Sequence, residues 1–107
     1  MYQPDNWVIL KITINPKDIH YRVLGGWSGG YLDGDSWRLN SGITKVEDDG
    51  DYLLFHGYSG SVYKCYKGSY VVRMNCSYPI QYYQKNYPDK VKVMPEDTDW
   101  FKLFNGV

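Results

Sequence analysis

The 107-residue chain has no net charge, two cysteines, two histidines and no long apolar run. Each scarcity removes a class of protein. Twelve basic side chains against twelve acidic ones lack the strongly basic balance of a protein that coats duplex nucleic acid. No stretch approaches the ~18 consecutive apolar residues that span a bilayer, and the first residues show neither a basic start nor a long apolar segment. The expectation is a soluble, cytoplasmic protein without membrane contact. Cys65 and Cys76 are too few for a disulfide framework and are expected as thiols in a reducing compartment. The formal sequon Asn75-Cys76-Ser77 then has no secretory route to modification.

Metal and cofactor signals are equally thin. A structural zinc site usually shows closely spaced ligand pairs, because two ligands on one turn lower the entropic cost of assembling four. His20, His56, Cys65 and Cys76 make no such pair, so no metal and no cofactor is expected. The acid run at 47–51 lacks the twelve-position calcium loop and reads as a solvated hairpin tip.

What the chain has is rings and strand-like runs. Twelve tyrosines, four tryptophans and three phenylalanines make up 18% of the residues, so much of the volume of a single core comes from aromatic side chains. "NWVILKITI" at 6–14 and "IHYRVLGGW" at 19–27 read as two strands joined by the turn formers "NPKD". From 36 onward, "SWRLN", "ITKVE", "DYLLFH", "SVYKCYK" and "SYVVRM" are short runs separated by glycine-containing connections. Connections this short favour antiparallel neighbours, and Asp49-Gly50 is the strongest hairpin signal. After Pro79, Ile80, Tyr83 and Tyr87 carry helical spacing up to Pro88; "KVKVM" reads as a brief strand and "PEDTDWFKLF" as a terminal helical turn or two. The predicted fold is one mainly β domain over 1–107, a small strongly bent antiparallel sheet or SH3-like barrel with one or two short C-terminal helical turns.

Charge is uneven along the chain. Residues 33–51 hold six acids against Arg38 and Lys45, whereas 52–95 hold six bases against Asp89. If the two stretches occupy separate surfaces the molecule is bipolar; strand pairing would instead bring them together and cancel them.

Catalytic chemistry has little to build on, and no catalytic residue is assigned. Gly26-Trp27-Ser28-Gly29-Gly30 matches G-x-S-x-G, but no helix pattern follows the serine as a nucleophile elbow requires. His56 near Ser59 and Ser61 leaves a small Ser/His hydrolase as a second alternative, needing an acid such as Asp33 or Asp35 behind the imidazole. The glycine-rich stretch 25–37 reads as a hinge or wide loop, with Trp27, Tyr31 and Trp37 packing over it.

Two binding readings remain. Tyrosine and tryptophan dominate interface hot spots, which makes a non-catalytic protein-binding or modulator role the first expectation, with Trp27, Tyr31, Trp37 and Tyr58 as its surface. The alternative is single-stranded nucleic acid, since nine tyrosines interleave with the six bases of 52–95 and rings beside cations are how single strands are held. Lys64, Tyr66, Tyr70 and Arg73 are its candidate patch.

The signposts "GGWSGGYLDGDSWRLNSGI", "DGDYLLFHG" and "SGSVYKCYKGSY" within Gly25 to Arg73 resemble small uncharacterised proteins of marine tailed phages, including those of cyanobacteria. The resemblance covers about half the chain. It implies a viral accessory protein in a bacterial host cytoplasm, with a host or phage protein as partner, and carries no assigned activity onto these residues.

Overall fold

In the computed structural model, which describes residues 1–30 and 34–106, the first apolar run forms β1 (Asn6–Asn15) and returns as the long β2 (Asp18–Gly30). β3 (Gly34–Leu39) follows on the far side of β2, and β7 (Val91–Val93) adds to the other side of β1. This four-stranded sheet has the order β3-β2-β1-β7, with every pairing antiparallel. A second sheet contains β4 (Ile43–Asp49), β5 (Tyr52–Gly57) and β6 (Val62–Tyr66) as an antiparallel meander. Two helices complete the chain, α1 (Met74–Asn86) and α2 (Trp100–Asn105).

Asn6 to Leu10 are all buried because β1 is covered on both faces. Trp7 and Ile9 point into the main core with Phe55, Tyr63 and Cys65 of the second sheet. Val8 and Leu10, one residue out of phase, meet Leu24 and Cys76 under α1. A run apolar at every position is what such a strand needs, and each fully buried aliphatic side chain in it contributes about 1.5–3 kcal/mol. The core between the sheets is closed at one side by α2, whose Trp100 and Phe104 rings stack within 6.1 Å. Asp99 caps that helix by accepting from Lys102 N–H, and Gly106 ends it in the left-handed region.

Strand pairing among the described residues gives two sheets and no closed barrel. The break comes at 40–42. Asn40 N–H donates to Val23 O at 2.9 Å and its Oδ1 accepts from Val23 N–H at 2.8 Å, so one residue takes the place of a further strand beside β2. Gly42, at φ +126°, then turns the chain into the second sheet. Two other side chains complete strand edges in the same way. Asn105 exchanges both bonds with the backbone of Val46 on β4. The Tyr70 hydroxyl accepts from Ile9 N–H at 3.1 Å and donates to Met94 O at 2.6 Å.

Three local expectations change. The glycine-rich stretch is no loop up to Gly30: Gly25 and Gly26 are regular β2 residues, paired with Trp7 and Asn6 on one side and with Arg38 and Trp37 on the other. "SYVVRM" is not a strand; a 3-10 turn (Lys67–Ser69) leads to a single bridge between Tyr70 and Trp7, because the Tyr70 ring enters the core. α1 begins five residues before Pro79 instead of after it, and runs thirteen residues. Proline favours a helix's first turn, but burial of Asn75 and Cys76 carries this helix past it on the N-terminal side.

Candidate functional site

α1 is held on the sheet by a polar anchor and an apolar one. At its start, Asn75 Nδ2 donates to Asn6 Oδ1 at 2.7 Å while Asn6 Nδ2 donates to Asn75 Oδ1 at 3.1 Å, a reciprocal amide pair buried from water. Asn75 Nδ2 also donates to Ser28 Oγ. A Cβ on Gly26 would stand 2.3 Å from Asn75 Oδ1, so this glycine makes room for a side chain of the protein itself. Further along, Cys76, Ile80 and Tyr83 pack on Val8, Leu10 and Leu24.

This docking turns the opposite face of α1 outward. Tyr78 is 70% exposed and Tyr82 48%, one helical turn apart on a single stripe. Trp37, on the edge strand β3 and 41% exposed, joins them in a groove of about 200 Å³. Lys85, Gln81 and Asn86 extend the stripe along a second groove of about 410 Å³. The Tyr82 and Tyr83 rings lie 5.6 Å apart and the Tyr83 and Tyr87 rings 6.5 Å apart, so the aromatic surface continues to the helix end. There a groove of about 330 Å³ opens between Tyr83, Tyr87 and the ends of β1 and β7, with Lys90 at its side. Four rings about half exposed present roughly 400 Å² of aromatic area, a contiguous patch of the size that marks a contact surface.

α1 itself carries no acidic side chain. No acid occurs from residue 52 to 88. The acids of β4 sit beside the bases of the second sheet: Asp49 lies 3.9 Å from Lys64, Asp48 3.0 Å from Lys67, and Glu47 2.6 Å from His56 and 3.8 Å from Lys45. Strand pairing therefore cancels most of the charge asymmetry there. Arg73, Lys85 and Lys90 make no ion pair among the described residues.

The four residues expected to form a protein-binding surface are divided. Trp27 and Trp37 reach one edge groove of about 350 Å³ with Tyr2 and Arg38, but from opposite faces of the sheet, since Trp27 pairs with Ser36 and Trp37 with Gly26. Trp27 is tied inward, donating from Nε1 to Gln3 O at 3.0 Å and meeting Tyr2 edge to face. Tyr58 is 70% exposed in the turn after β5 of the second sheet, its ring over Gly42 in the connection between β3 and β4. Tyr31 lies outside the described residues. The nucleic-acid patch is divided as well. Lys64 and Tyr66 share the outer face of the second sheet, where Lys64 sits 4.6 Å above the Tyr52 ring and Tyr66 packs 5.5 Å from it. Tyr70 is turned into the core, burial pushing its hydroxyl up to about 12 against the bond from Ile9 N–H. Arg73 stands at the start of α1.

Among the described residues the hydrolase alternative does not converge, and its acids, Asp33 and the side chain of Asp35, lie outside them. His56 faces Glu47, the Ser59 hydroxyl bonds those of Ser41 and Ser61, and Ser28 belongs to the Asn75 anchor in the other sheet. Both cysteines are free and fully buried, Cys65 in the main core and Cys76 under α1. Burial raises the pKa of each, with a bond from Asn6 opposing it at Cys76. Among the described residues no three potential ligands gather for a metal, and no helix is long and apolar enough to cross a membrane.

Tyr78 and Tyr82 are not distinguished by the sequence pattern, in which Ile80, Tyr83 and Tyr87 define the helical face. Their own four-residue spacing, inside a long acid-free stretch, was the available signal. Compared with protein-family models, with curated proteins and with solved structures, the chain matches none. The resemblance to tailed-phage proteins gains no support from these comparisons.

Proposed function

We propose that the protein is a non-catalytic recognition module that binds a macromolecular partner through the outer face of α1 and the adjoining edge of β3. The carrying observation is that Trp37, Tyr78, Tyr82 and Tyr87 are open to water and joined through the half-buried Tyr83, on a helix that the Asn6–Asn75 pair holds against the sheet. Large rings on a rigid helix bury area on binding at small entropic cost, and their indole or phenol groups still offer a hydrogen bond. The scattered His56, Ser28 and Ser59 favour recognition over catalysis.

The test is comparative capture from a bacterial lysate, the setting implied by the resemblance to phage proteins. The wild-type chain, Trp37→Ala, the double variant Tyr78→Ala/Tyr82→Ala and the control Tyr58→Ala are each immobilised, and retained proteins and nucleic acids are identified. A component held by wild type and Tyr58→Ala, but lost with the α1 and β3 variants while circular dichroism stays native, supports the proposal. Equal recovery by all four refutes it.

A further inference from the structure

We infer that the occupant of this face is a single strand of nucleic acid, its bases on the Trp37, Tyr78 and Tyr82 rings and its phosphates on Arg73, Lys85 and Lys90. This rests on the recognition face proposed above and adds the chemistry of what binds there. Charge is the first argument. The lysines of the second sheet are matched by Asp48 and Asp49, whereas Arg73 at one end of α1 and Lys85 and Lys90 at the other have no acidic partner among the described residues. α1 itself contains no acid, and Asp89 is the single acidic residue between 52 and 95. A polyanion laid along the helix meets cations at both ends.

Ring geometry is the second. Tyr78 exposes 70% of its surface and Tyr82 48%, and they are offset by about 6 Å along the helix axis, enough for a separate base on each. Base stacking needs open ring faces and tolerates any sequence, because every base has a π-face. The side-chain amides of Gln81 and Asn86 lie in the same groove and supply hydrogen-bonding groups at the base edges. Thirteen helical residues span about 20 Å, the scale of a site for a few nucleotides. A duplex keeps its base faces stacked inside and has no use for these rings.

The experiment is fluorescence anisotropy of a labelled twelve-nucleotide oligothymidylate titrated with the whole chain. Three phosphate contacts predict an affinity roughly 20-fold weaker in 200 mM than in 50 mM salt. Tyr78→Ala/Tyr82→Ala is expected to weaken binding about tenfold or more, and Lys85→Gln to reduce the salt dependence by about a third. Tyr66→Ala, on the second sheet, should leave the affinity unchanged. Absence of binding at about 100 µM protein in 50 mM salt overturns the inference, as does binding that Tyr66→Ala abolishes and the α1 variants do not. If the oligonucleotide fails to bind while the α1 rings still decide capture of a protein from the lysate, the nucleic-acid occupant falls and the recognition face stands. If both fail, both readings fall.

Discussion

Replacing Gly26 with alanine tests the joint that holds α1 on the sheet. The added Cβ would lie 2.3 Å from Oδ1, 2.5 Å from Cγ and 2.7 Å from Nδ2 of Asn75, too close on all three counts. Asn75 is no loose tail that swings aside: it is 5% exposed and its amide is bonded to Asn6 and Ser28. Expelling it leaves Asn6 Oδ1 without its partner in a fully buried position. One or two unpaired buried polar groups at about 1–3 kcal/mol each, plus the displacement of the helix, give a loss of about 3–5 kcal/mol. Small domains have only about 5–15 kcal/mol of stability, so the variant should melt about 12 °C or more below wild type. Urea titration followed by tryptophan fluorescence measures the loss, with an unchanged slope confirming the same two states. Asn75→Ala alone should cost about 1–3 kcal/mol, and Gly26→Ala/Asn75→Ala no more than Asn75→Ala, because the obstacle is gone. A loss below about 1 kcal/mol for Gly26→Ala, or losses that add within about 0.5 kcal/mol, would refute the reasoning.

Tyr70→Phe deletes only a hydroxyl but strands Ile9 N–H and Met94 O, and should destabilise by about 1–3 kcal/mol in the same titration; an unchanged midpoint contradicts the role given to that hydroxyl. Burial raises the Tyr63 and Tyr70 hydroxyls to about 12 and the Cys76 thiol to about 11. Because the unfolded chain ionises first, from about 9 for the thiol and 10 for the phenols, the stability these three groups contribute should be lost as pH rises through 9 to 12. A melting temperature that holds to pH 11.5 is the contrary result. Cys65 and Cys76, both 0% exposed, should react with a thiol reagent at the rate of unfolding, and rapid reaction of either in native buffer would show the core to be open. Tyr78→Ala/Tyr82→Ala, which removes exposed rings, should change the stability measured in urea by less than about 0.5 kcal/mol; a larger loss would make those rings part of the fold.

The sequence by itself determined the elements whose signals are local. Alternation and β-branching mark β1, β5 and β6, Asp49-Gly50 marks the hairpin between β4 and β5, and the acids before Trp100 mark the start of α2. Each depends on neighbours a few residues away, so a single strand of text carries it. Only the tertiary structure decided the division into two sheets, because that turns on Asn40 and Asn105 replacing strand neighbours, and polar residues in a sequence do not announce which backbone they will complete. It also decided that the glycines at 25 and 26 admit Pro4 and Asn75, residues about 20 and 50 positions away in sequence. The recognition face belongs to the same class. Twelve tyrosines are visible in the sequence, but whether a ring meets water depends on which side of α1 the Asn6–Asn75 pair pulls against the sheet, a contact between residues 69 positions apart.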